Sequence, residues 1–151
     1  MLRNNLSDAL KDALRGKDQR SVATIRLILA ALKDRDICAR ASGNSHGVED
    51  AEILDMLQSM VKQRRDSIAM YEQGGRCELA EREQEEIEII TRFMPEQLGD
   101  DEIRCVVVET ISELEASSLK DMGRVMASLK ERFAGRMDFG RASSVVKENL
   151  A

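Results

Sequence analysis

The chain holds a single proline, Pro95, and that residue constrains its architecture more than any other. Proline lacks an amide hydrogen and its ring clashes with the preceding turn, so no helix runs through it undisturbed. Upstream, helical apolar patterns run from Leu2 with one Gly/Ser-rich break at residues 42–47. Downstream lie three short amphipathic stretches. Pro95, followed closely by Gly99, therefore predicts an N-terminal helical domain at 1–95 and a small C-terminal domain at 96–151.

The periodicity specifies the helices. Leu2, Leu6, Ala9, Leu10, Ala13 and Leu14 share one stripe, stopped at Gly16. Val22, Ile25, Ile28, Leu29 and Leu32 form the next, ending before Ser42-Gly43-Asn44-Ser45-His46-Gly47. A long helix from about Val48–Asp50 carries Ile53, Leu57, Val61, Arg64, Ile68 and Tyr71, and Gly74-Gly75 ends it. A fourth runs from about Cys77 to Phe93 with Leu79, Ile87 and Ile90 apolar. Beyond Pro95, Ile103, Val106/Val107, Ile111 and Leu114 fit a helical period, although Val106–Val108 alone could pass for a strand. Met122, Val125/Met126, Leu129 and Phe133 follow, with a stop at Gly135, and then Ala142, Val145/Val146 and Leu150. The expectation is an all-α chain, four helices followed by three.

Charge sorts unevenly along this pattern. Residues 96–117 carry seven acids and only Arg104, whereas residues 118–151 carry seven bases against four acids. An acidic protein with a basic end is no general nucleic-acid binder but can dock a phosphate backbone locally. Lys120, Arg124, Lys130, Arg136, Arg141 and Lys147 fall off the apolar stripes and are the candidate phosphate contacts. With no aromatics interleaved, single-strand base stacking is not expected. No 18-residue apolar run exists, and the N-terminus (Arg3, Asp8, Lys11, Asp12) has no secretory apolar region. Three distant cysteines (Cys38, Cys77, Cys105) predict free thiols. Together these features predict a cytoplasmic protein with no membrane partner.

Catalytic chemistry finds little footing. Gly43-Asn44-Ser45-His46-Gly47 matches the string of a nucleophile elbow, but that motif needs a strand-to-helix turn and a distant histidine. Here the flanks read as helix, and the only histidine adjoins the serine. The acids Glu81, Glu83, Glu85, Glu86 and Glu88 read as a solvated helix face, as do Lys62, Arg64 and Arg65. No metal-ligand spacing and no phosphate-cradling glycine loop is present. No catalytic residue, cofactor or metal is assigned.

Three segments carry a family resemblance: TIRLILAALKDRDI (24–37), YEQGGRCELAEREQEEIEIITRFMPEQL (71–98) and LKDMGRVMASLKERFAGRMDFGRASSVVKENL (119–150). They resemble the YqeY-like proteins of the GatB/YqeY group, marked by Gly74-Gly75-Arg76, Pro95-Glu96-Gln97-Leu98 and Asp121-Met122-Gly123-Arg124-Val125-Met126. The resemblance implies an all-helical two-part fold. Its second part is similar to the tail domain of the B subunit of the glutamine-dependent tRNA amidotransferase, which helps to hold tRNA while catalysis lies elsewhere. Carried over by position are Lys120, Gly123, Arg124, Gly135, Arg136 and Lys147, with Gly123 allowing close helix approach and Gly135 turning the chain. The resemblance thus implies a non-catalytic, tRNA-associated accessory module. The alternatives are a protein-interaction scaffold, with a partner from the translation or amidotransferase machinery, and a subunit of a carbon–nitrogen ligase that takes its amide nitrogen from glutamine. Either would act with partner chains, and any catalysis would belong to the complex.

Overall fold

The computed structural model describes residues Met1–Ala151 as two compact units, Met1–Pro95 and Glu96–Ala151. All regular structure is helical.

The first unit contains α1 (Leu2–Arg15), α2 (Gln19–Ala41), α3 (Asp50–Gln73) and α4 (Cys77–Thr91). A tight turn joins α1 to α2, and Asp18 caps α2 by accepting from the Ser21 amide at 3.2 Å and the Ser21 hydroxyl at 2.6 Å. Gly75, at φ +72°, supplies the left-handed residue that lets the chain reverse from α3 into α4. α3 packs chiefly along α4, and α1 along α2. Leu6, Ile28, Leu57 and Ile90 are fully buried at the centre of the core, with Leu32, Ile53, Met56 and Val61 around them. Met56 and Ile89, which the sequence stripes omit, are buried as well. Leu14, assigned to the apolar stripe of α1, is instead 49% exposed.

Charged groups also tie this unit together. Arg3 forks onto Asp36 at 2.6 and 3.0 Å and donates to the Val48 carbonyl at 3.0 Å, while the Val48 amide donates to Asp36 at 3.0 Å. These bonds fasten the 42–47 loop to α1 and α2. They hold the Asp36 carboxyl down at about 2, through the Arg3 side chain first and the Val48 amide second. The acid run on α4 is not simply a solvated face. Glu86 meets the half-buried Arg64 of α3 at 2.9 Å, and Glu85 meets Arg20 of α2. The Lys62/Arg64/Arg65 reading changes with it, because Arg64 bridges two helices rather than facing solvent.

The second unit contains α5 (Asp100–Glu113), a single 3-10 turn (Leu119–Asp121), α6 (Met122–Arg132) and α7 (Phe139–Leu150). Residues 106–108 are helical, since α5 packs onto α6 and α7 and no strand exists to pair with them. Three acids in the first turn of α5 (Asp100, Asp101, Glu102) complement its dipole. Val107, Val125, Leu129, Ala142 and Val146 form the core, joined by Met137 from the α6–α7 turn. That turn needs the positive φ of Gly135, +74°. The segment after Pro95 is stitched to the turn, with the Leu98 amide donating to the Arg136 carbonyl at 2.7 Å and Gln97 to that of Gly135 at 2.6 Å.

Candidate nucleic-acid interface

The six candidate cations occupy distinct local settings. Lys120 sits in the 3-10 turn, Arg124 in the first turn of α6 and Lys130 in its last turn. Arg136 lies in the α6–α7 turn, Arg141 near the start of α7 and Lys147 in its last turn. Lys130 and Lys147 thus stand at helix C-termini, where the dipole favours a cation.

The arginines are engaged and the lysines are not. Arg141 forks onto Asp100 with both bonds at 2.6 Å, and this pair spans 41 positions of sequence. Arg124 meets Asp121 at 3.1 Å. Arg136 is half-buried, donates to the Glu96 carbonyl at 3.4 Å and lies 6.0 Å from the Phe133 ring centre. Lys120, Lys130 and Lys147 are exposed and have no carboxylate within ion-pair distance. Six residues along a helix turn a side chain by about 240°, so Arg124 and Lys130 point about 120° apart, as do Arg141 and Lys147. The two cations on each helix thus leave at different angles, and Arg124, Arg136 and Arg141 are engaged by acceptors of the chain itself, which the sequence pattern alone could not reveal.

The loop ahead of α6 is built around Asp121. Its carboxylate accepts from the Ser117 amide at 2.9 Å and the Ser118 amide at 3.4 Å, closing a capping box with the Ser118 side chain. The Ser117 amide, then Ser118 and Arg124, hold Asp121 below the usual carboxylate range. The loop therefore presents Lys120 from a fixed turn. Gly123 does not serve a close helix approach inside the chain. A Cβ placed there would meet nothing within 4 Å, because the residue lies on the solvent side of α6.

Elsewhere the chemistry is sparse. Ser45 and His46 are exposed on a loop between two helices, where the Asn44 side chain bonds the Gly47 carbonyl and the His46 amide at 2.9 and 3.0 Å. This turn is not the strand-to-helix setting a nucleophile elbow requires. Cys38, Cys77 and Cys105 are free and exposed. No group of three His, Cys, Asp or Glu side chains is placed to hold a metal ion, and no helix is long and apolar enough to cross a membrane. A cleft of about 440 Å³ between α5 and α7 is lined by Asp100, Arg104, Asp138, Arg141 and Glu148, whose charges largely offset one another.

Comparison with known proteins places this geometry in a lineage. The chain is similar to the altered inheritance of mitochondria protein 41 of Lachancea thermotolerans, 31% identical over 154 residues, covering 97% of this chain and 77% of the relative. The Clavispora lusitaniae protein of that name is 31% identical over 150 residues, covering 97% and 83%. The Eremothecium gossypii protein is 33% identical over 90 residues, covering 60% and 47%. All three carry the word mitochondrial in their names, which points away from the cytoplasmic assignment made from sequence. That assignment rested on a missing secretory apolar region, a feature on which mitochondrial import does not depend. The Yqey-like protein family matches residues 3–150, and the chain belongs to that family.

Proposed function

We propose that this protein is a non-catalytic accessory module that holds folded tRNA through the C-terminal unit, related in that role to the amidotransferase tail domain. The observation that carries the reading is the set of three exposed, unpaired lysines, Lys120, Lys130 and Lys147, on rigid helical elements. Lysines without a carboxylate partner can meet phosphates without first breaking an ion pair. Three such contacts support weak binding, roughly micromolar, that falls as salt rises. Arg124 and Arg141 sit in exposed pairs, and such pairs exchange at little cost, so either could join once the backbone is close.

The test is a titration of total tRNA against the full chain and a Lys120→Glu/Lys130→Glu/Lys147→Glu variant at two salt concentrations, with melts to confirm folding. The reversal should remove most binding, whereas Lys62→Glu/Arg65→Glu on α3 should matter less. Absence of binding at low salt, or equal binding by the folded reversal variant, rules the reading out. A protein-docking role is the second reading, favoured by Leu27 and Ile37, which α2 leaves 51% and 53% exposed.

A further inference from the structure

α2 is apolar on two opposite sides. Val22, Ile25, Ile28 and Leu32 face the core and are buried. On the far side Ala23, Leu27, Ala30, Ile37 and Ala41 are all exposed. Together with Asp34 they follow a spacing of 4, 3, 4, 3 and 4 residues, which keeps one line along a helix and is the register of a coiled-coil seam. Arg26, Lys33 and Arg40 border that line on one flank, seven residues apart, exposed and with no carboxylate in ion-pair distance. Other basic residues of α2 differ, with Arg20 paired to Glu85 and Arg35 to Asp55. At its N-terminal end the seam opens into a groove of about 370 Å³ lined by Leu14, Lys17, Val22, Ala23 and Arg26.

We infer that the outer face of α2 docks an amphipathic helix of another protein, whose apolar stripe is bordered by carboxylates that meet Arg26, Lys33 and Arg40. The charge pattern selects this occupant. In an antiparallel pair of two α2 helices these three bases would face their own copies. In a parallel pair Arg26 and Lys33 would face Ala31 and Cys38, and Arg40 would face Ser45 beyond the helix end, none of which offers a carboxylate. The alanines let a partner helix come close, Leu27 and Ile37 are the two large anchors, and Asp34 asks for a cation or polar group opposite it. An aspartate in the middle of the seam also disfavours insertion into lipid. This inference rests on the protein-docking reading and uses a face separate from the tRNA contacts.

The experiment uses the full chain and two synthetic helical peptides with the same leucine seam, and a lysine placed to oppose Asp34. One peptide carries glutamates on its flanks and the other lysines. Binding is read by fluorescence anisotropy, and the chain's own mass by sedimentation. The glutamate peptide should bind and the lysine peptide should not. Arg26→Glu/Lys33→Glu/Arg40→Glu should weaken the glutamate peptide by about tenfold and reverse the preference. Leu27→Ser/Ile37→Ser should abolish binding of the glutamate peptide, and circular dichroism of these surface variants should remain native. Binding of neither peptide, or of both equally, overturns the inference. So does a dimer of the chain alone that Leu27→Ser/Ile37→Ser dissociates, or stronger binding to phosphatidylglycerol vesicles than to the glutamate peptide. Retained tRNA binding by the α2 variants separates a failure here from a failure of the RNA reading.

Discussion

The two units handle charge differently. In Met1–Pro95 the Arg3–Asp36 and Arg64–Glu86 pairs are partly buried and tie helices together, with Arg64 only 13% exposed. In Glu96–Ala151 the pairs Arg124–Asp121, Arg132–Glu113 and Arg141–Asp100 all have an arginine that is more than 40% exposed. A partly buried pair works as a fastening, because its removal strands a charge or a hydrogen-bonding group. An exposed pair contributes little and exchanges readily. The first unit thus has partly buried pairs that hold its fold, beside exposed ones such as Arg20–Glu85 and Arg35–Asp55, whereas the second has exposed pairs alone.

The largest test of this contrast is a pair of cavities. Leu57→Ala in the first unit and Leu129→Ala in the second each remove a fully buried side chain and should cost about 2–5 kcal/mol. Hydrogen exchange should show each loss confined to its own unit, with the shorter second unit brought closer to unfolding. Equal loss of protection across both units after either substitution would break the comparison.

A smaller effect is expected at Asp36. A folded pKa of about 2, against an ordinary 3.8, means that its stabilisation is complete above the ordinary value. It is then lost as pH falls through the folded value. Asp36→Asn should therefore cost about 2 kcal/mol at neutral pH and flatten the acid limb of the stability curve, measured by urea melts between neutral and strongly acidic pH. An unchanged acid limb would show that the fastening is not electrostatic.

The smallest effect has the opposite sign. Gly123 is the second residue of α6, with open space around its Cβ position, so Gly123→Ala should stabilise the chain by about 0.4–1 kcal/mol in thermal melts, chiefly by restricting the unfolded chain. A destabilised variant would mean that the glycine is needed for close approach within the fold after all.

These tests mark what the sequence could and could not carry. Periodic apolar positions such as Leu6, Leu57, Val107 and Val146 were legible because burial repeats with the helical turn. Met137 was not, since a residue in a turn has no period to reveal it. The Arg3–Asp36 and Arg141–Asp100 pairs join positions 33 and 41 residues apart, which no local pattern encodes. The candidate cations were visible as residues, but their engagement was not: three lysines are free and three arginines are tied. The outer row of α2 was hidden for another reason. Two apolar rows on opposite sides of one helix cancel the asymmetry that normally marks a buried face.

The division between a fastened scaffold and an available C-terminal surface is tested most directly by hydrogen exchange of the full chain with and without saturating total tRNA at low salt. Amides of the 3-10 turn at Leu119–Asp121, of α6 and of α7 should gain protection, while α2 and α3 remain unchanged. Protection concentrated on α2, or no change anywhere while tRNA is demonstrably bound, would contradict the assignment of the RNA contact to the C-terminal lysines.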